Sequence, residues 1–193
     1  MANRIIKDKD IAFFLQARLG SSRLPGKLFL PLTNESILIH IIKRLESIKK
    51  FYDYLVVLVP YEDFDQVQNH LKEFPEVIVF AGEAENVLKR FYDANKKIKA
   101  DIIVRLTGDN PLIDLIHLKK ALLAHIKKEA EYTIYNNLPI GTCFEIFNNY
   151  LLKICFQHAK EPYQLEHVTP YIRDNKNLFK ILELNEYSNN RKV

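Results

Sequence analysis

The chain has 193 residues, 48% of them hydrophobic and 27% charged, with a net charge of +4. This is enough apolar sequence to bury a core and too balanced a composition for disorder. The mild basic excess sits in scattered pairs (Lys49-Lys50, Lys96-Lys97, Lys119-Lys120, Lys127-Lys128) with no interleaved aromatics, which argues against a nucleic-acid surface.

Cys143 and Cys155 form no CxxC and have no histidine pair at zinc spacing, so reduced, buried thiols are expected. Met1 to Asp10 is polar, unlike a signal peptide, and no apolar run approaches the roughly 20 residues of a membrane span. The expectation is a soluble, cytoplasmic protein without a membrane partner.

In chain order, Ile11–Leu15 is a continuous apolar run, as for a strand buried on both faces. The cationic loop Gln16–Lys27 follows. A turn at 33–36 leads to a helix over Ile37–Ile48, with Ile37, Ile41, Leu45 and Ile48 on one face. Tyr54–Val59 reads as a second buried strand, Asp63–Phe74 as a helix, Val77–Phe80 as a short strand and Ala84–Ile98 as a helix. Asp101–Leu106 is a further strand, and Asp114 caps a helix to Lys128. Strands alternating with helices predict βαβ units and a Rossmann-like α/β fold, a mostly parallel sheet flanked by helices. Beyond Glu131, strands over Glu131–Tyr135 and Thr142–Phe147 flank a turn at Pro139-Ile140-Gly141. Helices near Tyr150–Ala159 and Leu165–Asp174 follow, the second broken at Pro170. A strand over Leu178–Leu184 precedes a polar tail. No repeat or linker is present, so one domain is expected.

In open parallel sheets, ligands bind beyond the carboxyl ends of the strands. Two polar loops leave such ends: Arg18–Lys27 and Thr107-Gly108-Asp109-Asn110-Pro111. If their strands are neighbours, Arg18, Arg23 and Lys27 face Asp109 across one cleft. Cations opposite a lone carboxylate make sense when Mg²⁺ joins the carboxylate to a phosphate. The first loop is not a kinase-type P-loop. Its glycines, Gly20 and Gly26, are five residues apart, and Leu28 follows Lys27 where a metal-binding hydroxyl would stand. His40, His70, His117 and His125 lie at helical positions and read as structural or solvated.

The motifs, taken in order, resemble the cytidylyltransferases of the spore-coat polysaccharide F type, relatives of the enzymes that make CMP-sialic acid and CMP-ketodeoxyoctonate. The matching pieces are Gln16-Ala17-Arg18, Ser22-Arg23-Leu24-Pro25-Gly26-Lys27, Ala81-Gly82-Glu83 with Val87–Tyr92, Ile103–Asp114, Pro139 and Gly141 ahead of Glu145, and Glu166-His167-Val168-Thr169-Pro170-Tyr171. The resemblance implies a nucleotide-diphospho-sugar transferase fold of the glycosyltransferase-A kind. It also implies transfer of CMP from CTP to a sugar, an acidic one among the options, for surface polysaccharide or glycan synthesis, with release of pyrophosphate. By that likeness Arg18, Arg23 and Lys27 hold the triphosphate with help from Ser21 and Ser22, and backbone groups around Leu15 to Ala17 meet the base. Asp109 binds Mg²⁺, while Glu145, Glu166 and His167 lie toward the acceptor sugar. A homodimer is also among its implications.

Some positions depart from the family pattern: Val59-Pro60, Ala81, Asn86 and Leu165. Relatives continue into a further strand and an Asp-containing segment that supplies a second metal carboxylate. The sequence reaches Val193 about where that segment begins. The expectation is one nucleotidyltransferase-like domain over 1–193, with three options open for the second carboxylate: the sequence is trimmed before it, the enzyme is weak without it, or Asp114 or another acid substitutes. Two alternatives stay open: a catalytically inactive nucleotide- or sugar-binding relative, and a glycosyltransferase of the same fold, which the missing Asp-x-Asp motif disfavours.

Overall fold

The computed structural model describes residues 8–20 and 24–185. In chain order the strands are β1 (Ile11–Gln16), β2 (Pro31–Leu32), β3 (Glu35–Ser36), β4 (Tyr54–Pro60), β5 (Val77–Gly82), β6 (Ile102–Thr107), β7 (Tyr132–Asn136), β8 (Glu145–Asn148) and β9 (Ile181–Asn185). The α-helices are α1 (Ile37–Glu46), α2 (Phe64–His70), α3 (Val87–Ile98), α4 (Leu115–Lys127), α5 (Asn149–His158), α6 (Pro162–His167) and α7 (Pro170–Asp174).

Strands β2 and β3 form a small hairpin, and the other seven make one sheet in the order β5-β4-β1-β6-β8-β7-β9. Pairing is parallel along β5-β4-β1-β6 and again between β7 and β9. Only β8 runs against its neighbours, antiparallel to both β6 and β7. The expected mostly parallel α/β sheet is therefore present.

Strand β1 explains why its sequence shows no polar alternation. Phe13 and Leu15 pack on one face of the sheet with Leu38, Ile41 and Leu45 of α1 and Leu118 and Leu122 of α4. Ala12 and Phe14 pack on the other face with Leu88 and Phe91 of α3 and Leu151 and Cys155 of α5. Both faces are covered, so every position from Ile11 to Leu15 is apolar.

Helix starts follow the capping residues. Ser36, Asn86 and Asp114 each accept a bond from a backbone N–H of the first turn. Because Asn86 is the cap, α3 begins at Val87 and not at Ala84. The break expected at Pro170 within Leu165–Asp174 is present, and the helix before it begins earlier than expected. Pro162 at the first turn and a Glu161–Gln164 capping box start α6 early, and α7 starts at Pro170. Strand β8 begins at Glu145, later than expected, because Thr142 is held in the preceding turn: its amide donates to Pro139 O (3.1 Å) and its carbonyl accepts from Asp114 N (3.1 Å).

The thiols divide. Cys155 is buried, and burial pushes its pKa up to about 12. Cys143, expected to be buried, is exposed. His125 is buried between the Thr133 hydroxyl (2.8 Å) and Asn148 (3.1 Å), a structural placement as expected. Among the described residues no helix is long and apolar enough to cross a membrane. The polar tail expected at 188–192 lies outside the described residues.

Candidate functional site

Strands β1 and β6 lie side by side, with Leu15 opposite Leu106 and Gln16 opposite Thr107. The loops leaving their carboxyl ends are therefore neighbours. Gly108 N donates to Gln16 O at 2.8 Å, and a Cβ on Gly108 would lie 3.0 Å from Leu28 and 3.3 Å from that carbonyl. A side chain at Gly108 would crowd both neighbours, so glycine suits this close approach of the second loop to the first.

The first loop is anchored at both ends. Leu19 N donates to the buried Asp63 carboxylate (2.8 Å), and Gly26 N donates to Leu19 O (2.8 Å). Gly26 adopts φ of 68° and turns the chain into a single 3-10 turn, Lys27–Phe29, so no α-helix follows the loop.

Between these loops lies a cleft of about 300 Å³, lined by Ala17, Arg18, Lys27, Asp109, Glu166 and His167 among others. Lys27 Nζ stands 3.6 Å from Asp109 Oδ2, and Arg18 Nη2 3.8 Å from Glu166 Oε1. Burial works to raise the Asp109 carboxyl, but the Thr107 hydroxyl and the Lys27 charge outweigh it and hold the group below the ordinary carboxylate range. The carboxylate is thus anionic and half open to the cleft. Among the described residues no group of three or more His, Cys, Asp or Glu could enclose a metal ion. A single carboxylate facing a phosphate-sized space does fit Mg²⁺, which typically takes one or two carboxylates together with phosphate oxygens.

A second cleft of about 380 Å³ adjoins the first, and Arg105, Thr107 and His167 line both. Glu145, Tyr163 and Arg173 form part of its wall. Arg105 and Glu145 are direct partners across the antiparallel β6–β8 pair. Arg105 Nη1 donates to Glu145 Oε2 (2.5 Å) and Nη2 to Gln16 Oε1 (3.2 Å). The Tyr132 (2.5 Å) and Thr169 (2.7 Å) hydroxyls donate to the other Glu145 oxygen. Burial pushes the Glu145 carboxyl up, but the Arg105 charge and these hydrogen bonds outweigh it, so its pKa lies below the usual value.

Of the expected site residues, six line the first cleft and Glu145 the second. Leu15 lines neither: its side chain is buried in mid-sheet, and only the backbone beyond it, at Gln16 and Ala17, borders the site. Ser21, Ser22 and Arg23 lie outside the described residues. Asp114, a candidate substitute for the second carboxylate, has both oxygens engaged by α4. Its Oδ1 caps α4 through Ile116 N and His117 N, and its Oδ2 holds His117 Nδ1 at 2.6 Å.

The sequence reading missed Arg105, Arg90 and the role of the Gln16 side chain. Arg90 is buried under the first cleft and donates to Glu83 O (2.7 Å), Ala84 O (3.1 Å) and Leu58 O (3.3 Å). Burial lowers its pKa to about 10, opposed by the charges of Glu62 and Asp63. The signal for both arginines was a cation inside an otherwise apolar strand or helix face.

The mostly parallel sheet with β8 reversed is an α/β fold shared with solved nucleotidyltransferases: CMP:2-keto-3-deoxy-manno-octonic acid synthetase matches with a TM-score of 0.72 at 17% identity, over 92% of this chain and 90% of that one. The chain belongs to the cytidylyltransferase family, whose profile matches residues 12–192. It is 37% identical over 176 residues to spore coat polysaccharide biosynthesis protein SpsF of Bacillus subtilis, covering 89% of this chain and 73% of that protein. An uncharacterized protein of Methanocaldococcus jannaschii is 40% identical over 170 residues, covering 88% of this chain and 70% of its own length. A solved cytidylyltransferase from Leptospira borgpetersenii matches with a TM-score of 0.86 at 34% identity, over 93% of this chain and 77% of that one.

Proposed function

We propose that the protein transfers CMP from CTP to an oxygen of a sugar and releases pyrophosphate, supplying an activated sugar for surface polysaccharide or glycan synthesis. The observation that carries this reading is Lys27 facing Asp109 at 3.6 Å across two loops from adjacent strands. A cation and a carboxylate so placed can bracket a metal-bound polyphosphate. Arg18 and Lys27 bind and orient the triphosphate, and the backbone at Gln16 and Ala17 borders the space for the base. Asp109 holds Mg²⁺, which when bound would neutralise phosphate charge. The second cleft takes the sugar, with Glu145 fixing Arg105 and with Glu166 and His167 on the near wall. Rate enhancement of this kind comes mainly from positioning and charge neutralisation in a sheltered cleft, with no protein nucleophile.

The test is pyrophosphate release from CTP and Mg²⁺ with a panel of sugars that includes 3-deoxy-manno-octulosonate and N-acetylneuraminate. Lys27→Ala and Asp109→Ala should each lower turnover by about 100-fold or more. Absence of turnover with every nucleoside triphosphate and every sugar would refute transfer, and calorimetric binding of CTP under those conditions would identify a binding protein instead.

A further inference from the structure

Three side chains line both clefts. On the nucleotidyl-transfer reading, that seam is where an acceptor oxygen would meet the α-phosphate. Two of them cannot take a proton from it. Arg105 is a guanidinium already donating to Glu145 and Gln16. The Thr107 hydroxyl is engaged with Asp109. The third is His167.

The surrounding carboxylates are placed differently. Glu145 accepts from Arg105, Tyr132 and Thr169. Asp109 is the metal ligand of the proposed function, and Glu166, half-exposed and 3.8 Å from Arg18, lines the first cleft and not the second. The His167 ring, by contrast, lies against Tyr163 with centroids 4.5 Å apart, and among the described residues no hydrogen bond ends on its nitrogens.

The backbone holds this ring in place by an uncommon route. Thr169 N donates to His167 O at 2.8 Å across Val168, whose φ of 70° and ψ of −55° form a γ-turn that β-branched residues rarely adopt. Val168 is buried, and the Thr169 side chain beyond it is tied to Glu145. One strained turn therefore fixes His167 relative to the Arg105–Glu145 pair. Strain of this sort persists where the surroundings over-determine it, often at reacting sites.

Resting on the nucleotidyl-transfer reading, we propose that His167 is the general base of the reaction. The acceptor hydroxyl gives its proton to a ring nitrogen of His167 as its oxygen bonds to the α-phosphorus. The bond from that phosphorus to the α–β bridging oxygen breaks, and the electron pair leaves with pyrophosphate.

The experiment compares wild type, His167→Ala and His167→Gln with CTP, Mg²⁺ and the same sugar panel across pH. Charged groups around the ring include Arg105, Glu145 and Arg173 in the second cleft and Arg18, Asp109 and Glu166 in the first, so the variants are read against the wild-type profile. Both variants should lose about 100-fold in kcat, with the KM for CTP within about threefold of wild type. The acidic limb of the kcat/KM profile should disappear, and added imidazole should restore part of the His167→Ala rate. A rate within about fivefold of wild type, or a large loss with the acidic limb intact and no imidazole rescue, overturns the assignment while leaving transfer in place. A wild-type protein that releases no pyrophosphate with any sugar overturns the transfer reading and the base with it.

Discussion

Replacing Glu145 by glutamine keeps the side chain's shape and removes its charge. The carboxylate is 14% exposed, its Arg105 partner is 13% exposed, and they meet at 2.5 Å. Removing one member of a buried pair strands the other charge away from water, which costs about 3–5 kcal/mol in a dry site. Here both groups keep a little solvent, and the amide oxygen can still accept from the Tyr132 and Thr169 hydroxyls. The expected loss is therefore about 2–4 kcal/mol. In a domain of this size each kcal/mol moves the melting temperature by about 2–4 °C, so E145Q should melt roughly 5–15 °C below wild type. Urea unfolding should show a lower midpoint with an unchanged slope. The pair R105M/E145L, which removes both charges, should recover much of the loss. An E145Q midpoint within about 1 kcal/mol of wild type, or a double variant worse than the sum of its singles, would refute the view of this pair as a desolvated, mutually dependent unit.

Gly108→Ala should cost about 1–3 kcal/mol, because its Cβ would press on Leu28 and the Gln16 carbonyl, and it should raise the KM for CTP by parting the two loops; chemical unfolding and steady-state kinetics check both. Asp114→Ala should lose about 1 kcal/mol of cap energy while Asp114→Asn loses less, and neither should alter the dependence of turnover on Mg²⁺ concentration, since both Asp114 oxygens serve α4. For His125, burial lowers the folded-state pKa, with the Asn148 bond opposing. The unfolded chain then takes up the proton first, so stability is full above about pH 6.5, the ordinary histidine value, and falls as pH drops below it. Thermal melts at pH 7.5, 6.5 and 5.5 should show this decline, and His125→Gln should flatten it.

Much of the site was legible because its logic is topological. Lys27 and Asp109 are far apart in sequence, yet both sit on loops leaving apolar strands, and two such strands side by side bring the loops together. Arg105 was illegible for a complementary reason. Within the strand sequence IIVRLT it reads as an exception to a buried run, and its partner is set by the register of an antiparallel strand that sequence alone does not place. The same holds for Glu145, read as facing a sugar but carrying three hydrogen-bond donors from β6, β7 and the residue before α7. Pro170 rightly signalled a break in the last helical stretch, whereas the γ-turn at Val168 had no local signal, since valine is among the last residues one would choose for positive φ.

Strands β5, β4, β1 and β6 all come from residues 11–107, and β8, β7 and β9 from residues 132–185. The sheet is thus two blocks, each continuous in sequence, joined by the single antiparallel pair of β6 and β8. As the chain leaves the ribosome, the first block emerges with β6 as an open edge, a template for unwanted pairing until it is covered. Arg105 on that edge meets its carboxylate only after 40 further residues have been made. The loops after β1 and β6 can meet early, but the first cleft gains Glu166 and His167, and the seam between the two clefts closes, only when the second block docks.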